Sequence, residues 1–224
     1  MIEFNKTELA FKSRTNKGLL KMYLLFRFLS RPRLVRSAIK FFKFAHRIHL
    51  PLKWIIKPTL FKQFAGGENI HQTKTVIKKL AGFNVKSILY YASEGQRHPD
   101  EIQNSLNETL AAVRNAGFEP SIAFSVIKPS SFIQQSVLQK YSENESLTDP
   151  EKKEYDDYVS RIDQICKTAF ASQTPILIDA EEYCYQRAVD ELALQMSSKY
   201  NRMGTVIYNT VQMYLVDRLS FIQQ

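Results

Sequence analysis

From residue 70 onward, apolar and polar positions follow two rhythms in turn, one helical and one of strands. "NIHQTKTVIKKLAGF" places Ile70, Val76, Ile77 and Leu80 on one side of a helix, and Gly82 follows as its stop. "VKSILYYA" (85–92), a short run of β-branched and aromatic residues, predicts a strand. "HPDEIQNSLNETLAAVRNAGF" returns to helical spacing, with Pro99 and acids at its start and Gly117 at its end. "SIAFSVIK" (121–128) predicts the second strand, and "SFIQQSVLQKY" and the long polar "DPEKKEYDDYVSRIDQICKTAFAS" predict helices. "PILIDA" (175–180) is the third strand, and the helix after it buries Val189, Leu192, Ala193 and Met196. "GTVIYNTVQ" (204–212) is the fourth, and "MYLVDRLSFIQQ" opens a last helix.

Four strand–helix units in succession, with no hairpin signal between strands, predict an α/β fold with a parallel sheet and crossover helices. The strands are mostly apolar, as expected when both faces are covered. Polar residues gather at the strands' C-terminal ends: Glu94, Lys128, Asp179 and Gln212. In a β/α barrel that end is the mouth where ligand sites are built. Glu181 and Glu182 stand where acids cap the N-terminus of the next helix, whereas Asp179 is still on the strand and reads as a site residue. No second ligand cluster accompanies these carboxylates, and none accompanies His46 and His49, so no metal site is expected.

Charge divides the chain. Residues 1–62 hold fifteen Lys and Arg against Glu3 and Glu8, a local balance of +13, whereas residues 63–224 balance at −4. Pro58 and the pair Gly66–Gly67 punctuate the boundary, so residues 1–63 read as a basic helical arm and 64–224 as the β/α region. Pro32 and Pro51 cut the arm into short helices. Three readings of it stand open: a helical arm packed on the main region with its cations in water, a membrane-surface contact, and nucleic-acid binding. The last has no recognition motif behind it. No apolar stretch approaches the roughly 18 residues of a spanning helix, and none reads as a signal peptide. Cys166 and Cys184 lack metal or redox spacing and read as reduced thiols of an intracellular protein. The expected location is cytoplasmic, with peripheral contact at the inner face of the membrane through the arm.

The strand ends also carry a resemblance. "LFKQFAGGENIHQTKTVIKKLAGFNVKSILYYASEG", "AFSVIKPSSF", "PILIDAEEYCYQRAVDELALQMSSKYN" and "TVIYNTVQMYLVDRL" occur in the order seen in proline dehydrogenase, the FAD flavoenzyme of proline catabolism. The resemblance covers essentially the whole chain, and "DAEE" and "NTVQMY" are its most specific pieces. It implies a distorted (β/α)8 barrel of the TIM type and oxidation of L-proline to 1-pyrroline-5-carboxylate. The hydride passes to FAD, and a membrane quinone takes the electrons. By resemblance, Lys128 matches the lysine beside the substrate carboxylate, where an ammonium offsets an anion without bidentate geometry. Asp179 matches a site aspartate that holds cationic site residues, and Gln212 matches the glutamine that contacts the flavin.

Two features depart from the family pattern. "ILYY" carries Tyr90 where the family has an acid. The four strands correspond to the first half of the barrel, so the resemblance implies an N-terminal half, inactive alone. Such a half exposes an open sheet edge and an apolar face liable to self-association. A non-catalytic module for membrane surfaces or proteins is the alternative function.

Overall fold

All four expected strands form, each shorter than its apolar run: β1 (Ser87–Tyr90), β2 (Ile122–Ile127), β3 (Ile176–Ile178) and β4 (Ile207–Asn209). The structure is a computed structural model and describes residues 5–92 and 98–223. Neighbouring strands pair in parallel in the order β1-β2-β3-β4. That order decides where the helices go. Parallel crossovers are right-handed, so a sheet that always adds its next strand on the same side receives every connecting helix on one face. A doubly wound sheet reverses direction and is covered on both. Successive addition is the arc of a β/α barrel.

Burial follows that rule and corrects the expectation that both strand faces are covered. Ile127, Ile176, Ile178 and Ile207, alternate residues on the helix side, are buried in the main core. The other row, Phe124, Val126, Leu177 and Tyr208, is only half-buried, and Ile88 is 57% exposed. In a closed barrel this second face is covered by the barrel's own strands rather than by helices. Phe124 and Tyr208 meet edge to face across it, with ring centroids 5.2 Å apart.

The covering helices are those the patterning predicts. Pro99–Gly117 buries Ile102, Leu106, Thr109, Val113 and Ala116, one residue every third or fourth position. Asp149–Ala171 buries Tyr158, Ile162, Ile165 and Ala169 in the same way. It starts with a capping box, in which Thr148 and Glu151 satisfy each other's backbone ends. Gln186–Tyr200 buries Val189, Leu192, Ala193 and Met196, the four expected. The first two helices end side by side, which is where Gly117 becomes necessary: a Cβ there would lie 2.8 Å from the Ser172 carbonyl oxygen. Thr174 closes the junction by donating its hydroxyl to the Val113 carbonyl at 3.1 Å. The last helix is shorter than expected, Arg218–Ile222, because residues 210–217 turn rather than coil.

The chain divides into two compact units, Met1–Val85 and Lys86–Gln224, so the packing break falls after the break in charge. The first unit holds the helices Asn16–Leu29, Pro32–Arg47 and Ile70–Ala81, with shorter helical turns between Lys53 and Phe64. Thr15 caps the first by accepting from the Gly18 N–H at 3.2 Å, and Asn69 caps the third by accepting from the Gln72 N–H at 3.0 Å. Pro32 opens the second at a position that needs no N–H. Of the expected apolar side of Ile70–Ala81, Ile77 is buried and Ile70 and Leu80 half-buried, but Val76 is exposed.

Candidate active site

The register that aligns Val126, Leu177 and Tyr208 across the bare face places Lys128, Asp179 and Thr210 two residues further along the same rows. The ladder carries on past the strands to hold them. The Asp179 N–H donates to the Ile127 carbonyl at 2.9 Å, and the Thr210 N–H to the Ile178 carbonyl at 3.1 Å. The Thr210 hydroxyl then donates to Asp179 Oδ1 at 2.8 Å and accepts from the Ala180 N–H at 2.7 Å. Asp179 is thereby fixed on the strand end, where its sequence position put it. Thr210, which holds Asp179 in place, is a positioning contact that sequence reasoning missed; its signal was a hydroxyl one position beyond the apolar run of β4.

Glu181 corrects an expectation. Its carboxylate does not cap the helix after β3: it reaches back to β2, accepting from the Ser130 N–H at 2.8 Å and from the Ser130 hydroxyl. Ser130 lies in the single turn Pro129–Phe132 that follows Lys128, so a full negative charge sits at a turn with open N–H groups. The loops leaving β2 and β3 are locked together by this contact. Glu182 precedes the turn Tyr183–Tyr185 without a side-chain cap bond and is exposed.

A polar chain continues from there. The Glu181 N–H donates to Gln186 Oε1 at 2.7 Å, and Gln186 Nε2 donates to Asp190 Oδ1 at 2.8 Å. Arg218 Nη1 donates to Asp190 Oδ2, and Arg218 also pairs with Asp217. These two hydrogen bonds raise the Arg218 guanidinium above its ordinary value. The 210–217 segment is thus tied down at both ends, by Thr210 and by Arg218. Gln212 lies in it, three residues past β4 rather than on the strand as expected.

These loops enclose a cleft of about 350 Å³, lined by Lys128, Ser130, Glu181, Tyr185, Gln212 and Tyr214 among others. The cleft therefore brings together Lys128 and Gln212 but not Asp179, which turns to Thr210. Tyr185 is buried; burial, followed by the charges of Glu181 and Glu182, pushes its phenol up to about 12, so it stays neutral and able to donate near pH 7. Tyr90 pairs with Val126 and shares its row. Glu94 lies outside the described residues. The assembled lining is one ammonium, the two amides of Gln135 and Gln212, and hydroxyls beside carboxylates, suited to a small ligand carrying an anionic group and a polar ring edge.

Fold and cleft define the class: a β/α-barrel type protein with a cleft at the C-terminal ends of its parallel strands. Comparison with known proteins gives the family. The family model described as proline dehydrogenase matches residues 73–224. Mitochondrial proline dehydrogenase 1 of Dictyostelium discoideum is 31% identical over 211 residues, covering 78% of this chain and 37% of that protein. The carbapenem antibiotics biosynthesis protein CarD of Pectobacterium carotovorum is 30% identical over 161 residues, covering 72% of this chain and 43% of its own length. Among solved structures, proline utilization A from Bdellovibrio bacteriovorus, inactivated by N-propargylglycine, superposes with a TM-score of 0.60 over 97% of this chain and 24% of that one, at 15% identity. The chain belongs to the proline dehydrogenase family. It spans less than half the length of these relatives.

Proposed function

We propose that this chain supplies the first four β/α units of an enzyme that oxidises L-proline to 1-pyrroline-5-carboxylate, with FAD as cofactor and a quinone as electron acceptor. The observation that carries the reading is that Lys128 and Gln212, distant in sequence, line one cleft at the ends of β2 and β4. When bound, FAD supplies the acceptor for the hydride that leaves the proline ring. The residues here fit their share of that site. The Lys128 ammonium offsets the substrate carboxylate. Gln212 presents an amide, donor and acceptor together, to the polar edge of the flavin. Asp179, fixed by Thr210, holds a negative charge at the strand ends for the cationic groups of a complete site. Further β/α units, or a second copy of the chain, would pair with the outer strands β1 and β4 and cover the half-buried face.

The test uses the relative whose sequence is 31% identical, with residues 86–224 of this chain replacing its matching segment. The chimera is expected to retain flavin through desalting and to oxidise L-proline. Lys128→Ala should raise KM and cost about 10- to 100-fold in kcat/KM, the loss of one charge-assisted hydrogen bond, with flavin content unchanged. Gln212→Ala should weaken flavin retention. A chimera that binds flavin but oxidises proline equally well with Lys128→Ala would overturn the assignment.

A further inference from the structure

We propose that Gln186 is a positioning residue of the cleft, a single buried amide that sets the wall carrying Lys128 and the segment carrying Gln212 relative to each other. Gln186 is the first residue of the helix Gln186–Tyr200, yet it is only 3% exposed. Polar side chains are buried where they are paired, and here both ends of the amide are. Its oxygen turns back to the loop leaving β3 and accepts from the Glu181 N–H at 2.7 Å. Its nitrogen donates to Asp190 Oδ1 at 2.8 Å, one turn along the helix. These partners fix which way the amide faces: reversed, it would set N–H against N–H and oxygen against carboxylate.

Each partner governs one side of the cleft. The Glu181 side chain accepts from the N–H and the hydroxyl of Ser130, two residues past Lys128. Asp190 accepts from Arg218, which closes the 210–217 segment. Thr210 ties the near end of that segment to Asp179 and Ala180. Its far end meets the β3 loop through Arg218, Asp190 and Gln186. Ser130, Glu181 and Gln212 line the cleft, whereas Gln186 does not, so it acts through them rather than by touching a ligand. Removing the amide takes a partner from both sides at once, and a buried polar group left short of one bears the full cost of its lost water. Linked polar groups loosen together for that reason. The inference rests on the reading of this cleft as a proline and flavin site only for its effect on catalysis; the joint itself stands on the hydrogen bonds.

Hydrogen exchange of the full chain, read by mass spectrometry, tests the joint without proline or FAD. Gln186→Met is close in volume and has neither donor nor acceptor at its end. It should raise exchange about tenfold, the loss of one hydrogen bond, in peptides spanning 128–134 and 210–218. The helix Pro99–Gly117 should exchange as in the parent, which verifies the fold. At about pH 8, well above the carboxylate range, Gln186→Glu keeps an oxygen for the Glu181 N–H but turns a second one toward Asp190. It should raise exchange in 210–218 alone. In the chimera described above, Gln186→Met should raise KM for L-proline and lower flavin retention together, where Lys128→Ala acts on the first and Gln212→Ala on the second. Parent-like exchange of either peptide in Gln186→Met would overturn the proposal. So would a rise in both variants that includes Pro99–Gly117, the mark of plain loss of stability. A chimera that responds to Lys128→Ala but not to Gln186→Met would also refute it. A chimera indifferent to Lys128→Ala, with exchange as expected, would strike the functional reading and uphold the joint.

Discussion

The pair Asp190–Arg218 offers the sharpest test of how the 210–217 segment, and with it Gln212, is held in place. Both side chains are almost wholly buried, at 8% exposure for Asp190 and 10% for Arg218. Removing one partner of a buried pair leaves a charge in low dielectric and costs about 3–5 kcal/mol, whereas replacing both with apolar groups of similar volume is often neutral. The two ends are not equivalent here. Arg218 keeps Asp217, which it contacts through Nε at 3.0 Å and Nη2 at 2.5 Å. Asp190 keeps only the Gln186 amide as a neutral donor among the bonds described above. Arg218→Met is therefore expected near the upper end, about 5 kcal/mol, and Asp190→Leu near the lower, about 3 kcal/mol. The double variant should fall within about 1 kcal/mol of the parent, so the cycle shows a large favourable coupling between the two substitutions. Urea unfolding followed by circular dichroism measures all four proteins. Losses of this size are a substantial share of the roughly 5–15 kcal/mol that holds a domain together. Additive single effects, or single losses below about 1 kcal/mol, would refute the reasoning. The helix Arg218–Ile222 would then release its cation to water at little cost, leaving Gln212 unheld.

Two further predictions concern titration and reactivity. Glu151 is held down to about 2, chiefly by its hydrogen bond from Lys140 and then by the Thr148 backbone and hydroxyl. A folded value below the ordinary 4.5 means that its contribution is complete above that pH and fades as pH falls toward 2. Stability of Glu151→Gln should accordingly vary less with pH across that window than the parent's, and an NMR titration placing Glu151 at its ordinary value would contradict the assignment. Burial pushes the Cys166 thiol up to about 12, while Cys184 is raised, first by burial and then by Glu182, yet remains partly accessible. A thiol reagent should modify Cys184 slowly in the folded protein and Cys166 only after unfolding; equal native rates would be inconsistent with this core.

The local elements were legible in the sequence because their signals are local. Buried stripes such as Tyr158, Ile162, Ile165 and Ala169 repeat at helical spacing, and the acids, prolines and caps at helix starts act within one turn. The parallel sheet was legible too, since strands separated by helices have no other economical pairing. Lys128 and Asp179 could be proposed because strand ends are the mouth of such a fold. Tertiary structure decided the rest. Which strand face is bare depends on strand order, and order is a relation between segments that the pattern inside each strand does not record. Glu181 could equally have capped its own helix; that it binds Ser130, 51 residues earlier, follows from β2 and β3 lying side by side. Gln212 reaches the cleft from a loop, because Thr210 bonds across to Asp179 and Arg218 anchors to Asp190. Such contacts form only once the sheet has brought distant residues together. Periodicity along the chain gives each element its apolar side, and pairing in space decides what that side meets.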